Sequence, residues 1–246
     1  MLRALLMAFG MFSIFPVPRN HWDDRALVWV VLFWPLVGGA IGGIWYLSAL
    51  ATGMLPLLIQ TLLVAAVPFV LSGFLHVDGY MDTADGVFSR RELAEKRKIL
   101  KDSHVGAFAV IALCGLLFVH FAAAQTILQE KKAILAFLFI PMISRCLVGL
   151  MLLTLKPMSE TGMMAMFRDK TGFYQKAGLA MLGIAVMCAA VIFGGVATLA
   201  PLAAVTIGTL ATGWSIYGQF QGFSGDLCGC SLVVGEMCGV LAMAVA

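Results

Sequence analysis

Three aspartates, Asp78, Asp82 and Asp85, fall within eight positions of the stretch HVDGYMDTADG (76–86), in a chain with only thirteen acidic residues. Their i, i+4, i+7 spacing sets them within roughly 60° of one another on a helix. Carboxylates held on one face repel each other unless a cation sits between them. An all-oxygen cluster suits Mg²⁺ or Mn²⁺, which commonly bridge one or two carboxylates to substrate phosphates. His76, two residues before Asp78, is a candidate general base beside such a site. Gly79 and Gly86 are read as points where a ligand comes close to the backbone. The plainer reading is a solvated acidic helix end. The cluster leaves an apolar run with no basic residue interleaved, which favours the metal site.

Two further polar stretches add to it. GQFQGFSGDLCG (218–229) has glycines at 218, 222, 225 and 229 with Ser224 and Asp226, the composition of a loop that wraps a ligand or metal. SRRELAEKRKILKDS (89–103) carries six basic residues, suited to anionic lipid headgroups or to a phosphorylated substrate. Glu92 and Lys96 form a favourable i,i+4 pair, which predicts a short helix. Lys101, next to the return into the apolar phase, is the residue singled out for substrate. Asp102 and Ser103 are natural N-caps for the helix that follows, whose free N–H groups are open to a phosphate.

The elements that position these groups must lie in a membrane. Of 246 residues, 61% are apolar and 12% charged, against about 45–50% and about 25% in soluble domains. Such a chain cannot cover itself with polar surface, which excludes a soluble domain. The composition predicts an all-α polytopic bundle of six or seven spans, forming one membrane-embedded domain over residues 1–246. Apolar windows predict spans near 26–50, 54–75, 105–129, 133–155, 177–199, 201–219 and 227–246; Trp214, Tyr217 and Gln219 make the sixth the weakest. Residues 1–18 could pass for a signal peptide, but no small-residue cleavage site follows, and an interfacial helix stopped by Pro16 and Pro18 fits better.

GGAIGG (38–43) sets glycines four apart, a close-packing feature. The six cysteines read as small hydrophobes, and no disulfide framework is expected. His21 and His104 read as interfacial, and His120 as hydrogen-bonded to a neighbouring helix. Arg3, Arg19 and Arg25, the basic run of 89–101, and Lys156, Arg168, Lys170 and Lys176 fall in connectors on one side. The positive-inside rule makes that side cytoplasmic, aspartates included. Arg145 and Glu236 are the deepest charges, each roughly 15 Å from that surface. They are expected to share one cavity, as an ion pair or with Arg145 reaching a phosphate.

With these residues in place, the sequence resembles the cobalamin synthase family, the adenosylcobinamide-GDP ribazoletransferases. HVDGYMDTADG matches the family's HLDGLxDxxDG element, KDSHVGAF (101–108) its following K/R-D-S element, FSIFPVPR (12–19) its opening aromatic run, and QGFSGDLCG (221–229) its late GGxTGDxLG element. The late element departs at Gln221, Ser224 and Cys228. The resemblance implies a Mg²⁺-dependent enzyme of the bacterial inner membrane. It would join adenosylcobinamide-GDP to α-ribazole, or its 5′-phosphate, and release GMP. It implies Asp78, Asp82 and Asp85, with Asp226, as metal ligands; His76, Asp82 and Lys101 as catalytic groups; and Lys101, Ser103, Arg145, Gly222, Ser224 and Gly225 as substrate contacts. Membrane lipid is an expected partner, nucleic acid is not, and the oligomeric state is left open. Two other classes compete. A CDP-alcohol phosphotransferase also uses spaced aspartates, but its D-G-x-x-A-R opening is missing after Asp78-Gly79. A cation transporter would hold its carboxylates near the bilayer midplane, within broken helices.

Overall fold

A computed structural model describes residues 1–18 and 22–246; Arg19 and His21 lie outside them. The described residues form helices α1 (Leu2–Phe12), α2 (Leu27–Ala51), α3 (Leu57–Leu71), α4 (Leu75–Phe88), α5 (Leu93–Ile99), α6 (Ala107–Glu130), α7 (Ala136–Thr154), α8 (Met163–Lys170), α9 (Phe173–Gly194), α10 (Leu199–Phe220) and α11 (Gly225–Val245). Six of them are long and apolar enough to cross a membrane: α2, α6, α7, α9, α10 with the 3₁₀ turn before it, and α11. The protein is a multi-pass helical membrane bundle. Helix α10 runs unbroken through Trp214 and Tyr217, so interfacial residues do not shorten the sixth span.

The span expected over 54–75 takes a different form. Helix α3 stops at Leu71, because Gly73 and Phe74 both adopt left-handed backbone (φ 63° and 59°) and Phe74 N–H closes back onto Phe69 O (2.9 Å). Helix α4 leaves at 84° to α3. Its first turn lies beside the α3 exit, and Gly86, near its far end, meets the Phe220 ring at the end of α10. Helix α4 therefore lies across one end of the bundle instead of continuing a span. The segments 13–18, 22–26, 89–106, 155–172 and 221–224 meet at this same end, where Ile14 N–H donates to Leu71 O, Lys170 Nζ to Asp24 O, Arg97 to Phe220 O and Met158 N–H to Phe223 O.

Close helix contacts hold the frame. A Cβ at Gly38 would meet Arg145 Cδ at 2.8 Å, and one at Gly42 would meet Phe137 O at 2.8 Å, so one glycine pair of GGAIGG seats α2 on α7. Gly39 and Gly43 have looser surroundings. Helix α1 buries Ala4, Met7, Ala8 and Phe12 while Leu2 stays exposed, and Ile14 N–H donates to Leu71 O (3.0 Å), tying the N-terminal segment to the α3 exit. Deeper in the bundle, Arg145 Nη1 donates to Glu236 Oε1 at 2.6 Å, and Ser144 Oγ donates to the same oxygen at 2.7 Å. The expected ion pair forms and joins α7 to α11. His120 is buried between Trp45 and Phe69, with ring centroids at 5.8 and 4.9 Å. All six cysteines are free.

Candidate active site

Helices α4 and α11 cross backbone against backbone. A Cβ at Gly79 would lie 2.8 Å from Asp226 Cα, and one at Gly229 would lie 2.9 Å from the His76 carbonyl oxygen. Backbone cannot yield as a flexible side chain can, so both positions require glycine. The sequence suggested a ligand's approach at Gly79 and Gly86; the neighbours are instead Asp226 and the Phe220 ring, whose Cζ an added Cβ at Gly86 would meet at 2.9 Å. The crossing brings Asp226, in the first turn of α11, to Asp78 and Asp82 of α4. Burial, then the charges of Asp78, Asp226 and Asp85, push the Asp82 carboxyl up to about 6.

Asp85 has another task. Its carboxylate accepts from Gly106 N–H (2.7 Å) and Ala109 N–H (2.9 Å), so it caps α6 from a neighbouring helix. Gly106 leaves room for it, since a Cβ there would sit 2.5 Å from Asp85 Oδ1. Asp102 and Ser103, the expected caps, do not reach this helix, which begins at Ala107 after Gly106. Asp102 accepts from His104 N–H (3.0 Å) and pairs with the His104 ring (2.6 Å), while Ser103 is exposed.

The basic run divides in the same way. Arg97 donates to Phe220 O (2.7 Å) and Gln221 O (2.9 Å), closing the carbonyl end of α10, and Lys96 Nζ donates to Gln219 Oε1 (3.2 Å). The anticipated Glu92–Lys96 pair is replaced by these contacts, and Lys98 meets Glu95 at 3.6 Å.

A cavity of about 540 Å³ opens beside the crossing. His76, Asp78, Lys101, Ser224, Gly225 and Asp226 all line it. His76 is buried, and its Nε2 has no hydrogen-bond partner. Ser224 caps α11 by accepting from Leu227 N–H (3.3 Å), and it donates to Asp226 Oδ2 (3.3 Å). The strand-like pairing of Phe223 N–H with Lys156 O and of Met158 N–H with Phe223 O, both 2.9 Å, fixes this loop. Gly222 packs on Met158 and is absent from the lining, and Arg145 is committed to Glu236. Sequence reasoning missed Phe12, Trp34, Met158 and Phe167 as cavity walls. Phe12 stood inside the quoted aromatic run, but Met158 and Phe167 carry no motif.

A family model described as cobalamin-5-phosphate synthase matches residues 4–244. The chain belongs to the cobalamin-5-phosphate synthase family. It is 34% identical to the adenosylcobinamide-GDP ribazoletransferase of Clostridium perfringens over 99% of this chain and 98% of that protein. The enzyme of the same name from Geobacillus thermodenitrificans is 34% identical over 94% and 91%, and that of Lachnoclostridium phytofermentans 30% over 100% and 94%. No solved structure matches.

For a cobalamin-5-phosphate synthase the donor set bears on Mg²⁺. Among the described residues, no three His, Cys, Asp or Glu side chains converge as a ready cage. Mg²⁺ keeps several waters and is held by one or two carboxylates plus substrate phosphates. One or two of Asp78, Asp82 and Asp226 would serve an ion of that kind, and a cation would relieve the part of the Asp82 shift that, after burial, comes from its acidic neighbours.

Proposed function

We propose that this chain transfers the adenosylcobinamide phosphate group from adenosylcobinamide-GDP to α-ribazole, or to its 5′-phosphate, and releases GMP. The observation that carries the reading is the α4–α11 crossing, which sets Asp226 against the Asp78–Asp82 face at a cavity that Lys101 also lines. A ribazole hydroxyl oxygen bonds to the phosphorus attached to cobinamide, the bond from that phosphorus to the GMP oxygen breaks, and the hydroxyl proton passes to His76 or a cluster carboxylate. Mg²⁺, when bound, spreads the charge of the diphosphate. One or two of Asp78, Asp82 and Asp226 would hold that ion, and Lys101 meets the charge growing on the departing GMP. The free N–H groups at the start of α11, near Ser224 and Gly225, face phosphate oxygens.

The acidic end faces the cytoplasm of a bacterial inner membrane, in line with the excess of Lys and Arg there. Arg90 and Arg91 remain exposed at that end to meet lipid headgroups. The test is purified protein in liposomes with both substrates and Mg²⁺. GMP and the joined corrinoid are expected in equal amounts, and no GMP would reject the reading.

A further inference from the structure

The cavity joins a few polar groups to a largely apolar lining. Asp78, Lys101, Ser224 and Asp226 stand among its lining, while much of the remaining wall is Phe12, Trp34, Leu152, Met158, Phe167 and Phe223. Phe12 and Trp34 stack at 4.5 Å with planes 23° apart, which gives that wall a flat aromatic face. Two ring nitrogens of lining residues are buried without a hydrogen-bond partner, Trp34 Nε1 and His76 Nε2. Each such group loses about 1–3 kcal/mol relative to a paired one, so a ligand that supplies partners is favoured once these covered nitrogens turn towards it. The volume of about 540 Å³ suits a nucleoside-sized molecule.

We propose, on the reading of function above, that this cavity is the site for the acceptor's base. The planar benzimidazole of α-ribazole lies against the aromatic and methionine wall, its free ring nitrogen accepts from Trp34 Nε1–H, and its ribose points to His76 and the carboxylates. Thioether sulfur and aromatic faces suit such a ring. Guanine is poorly matched to the apolar walls: its amine, lactam and ring nitrogens would have to turn to Asp78, Lys101, Ser224 and Asp226, the groups that meet the diphosphate and its metal. The amide-fringed corrin meets the same objection and is too large. Both parts of the donor therefore stay outside the cavity, over the open acidic end. The cavity thus sets acceptor specificity, and Trp34, Met158 and Phe167 are the residues that set it.

Steady-state kinetics with each substrate varied in turn test this on the full-length protein in liposomes. Trp34→Phe keeps the ring and removes the donor; about a tenfold rise in KM for α-ribazole is expected, with KM for adenosylcobinamide-GDP unchanged. Met158→Trp fills the space and should raise the α-ribazole KM at least as much. An equal rise for both substrates, or an unchanged α-ribazole KM in folded Trp34→Phe protein, overturns the proposal. Equilibrium binding separates its failure from that of the function. Wild-type protein that binds α-ribazole, loses that affinity in Trp34→Phe and ignores guanosine supports the base site even if no GMP is ever released. GMP release with α-ribazole binding untouched by either substitution keeps the function and removes the site.

Discussion

Asp82 illustrates how a single residue serves function against stability. Its carboxyl is raised from 3.8 to about 6 by burial first and by Asp78, Asp226 and Asp85 next. The folded state therefore holds a proton more tightly than the unfolded one. Stability from this group is fullest below about pH 4 and is lost as pH rises through about 6. Asp82→Asn should lower transfer roughly 10²–10³-fold. In Mg²⁺-free buffer at pH 7 it should also melt about 2–4 °C higher, the equivalent of ~1 kcal/mol after discounting for solvent screening. Thermal melts in chelator at pH 7 and pH 4 check the sign, since the gain should shrink at the lower pH. A variant that melts lower at pH 7 would contradict the crowding. Asp85, one turn on, looks equivalent in sequence, yet its oxygens are occupied by Gly106 and Ala109 N–H. Asp85→Ala should cost about 2–4 kcal/mol through two lost charge-assisted bonds, seen as a lower melting temperature whether or not Mg²⁺ is present.

The elements meet at glycines and at one buried ion pair. Gly79→Ala puts a methyl into Asp226 backbone and should force α4 off α11, costing about 1–3 kcal/mol. Both the melting temperature and kcat should fall, whereas loss of a ligand's approach would raise KM and leave the melt unchanged. Arg145 and Glu236 join α7 to α11, and a lone charge left there is worse than none. Arg145→Leu and Glu236→Leu should each lower stability by about 3–5 kcal/mol and the double change by less; purely additive melts would contradict the pair. That pair was legible in sequence, because few charges sit so deep in apolar runs. The spans were legible too, most to within a few residues, since hydropathy decides them. The break between α3 and α4 was not, because it rests on left-handed backbone at Gly73 and Phe74 inside a run that is apolar but for Ser72. The cap of α6 was hidden as well. Local spacing favours Asp102 and Ser103, and only the tertiary fold delivers Asp85.

At the scale of the whole molecule, Asp78, Asp82, Asp85 and Asp226, the cavity and the polar segments share one end of the bundle. In a chain with its cysteines replaced, a cysteine at Arg91 should label only from the cytoplasm and one at Met54 only from outside; labels on the reverse sides would invert the topology. The central claim is that the α4–α11 crossing builds one metal-assisted phosphoryl-transfer site from residues far apart in sequence. Its most direct test is the rate of GMP release as Mg²⁺ is varied, for wild-type protein and Asp226→Asn. The Mg²⁺ concentration for half-maximal rate should rise at least about tenfold in the variant, a loss of about 1.4 kcal/mol. Superimposable Mg²⁺ curves in folded Asp226→Asn protein would contradict it.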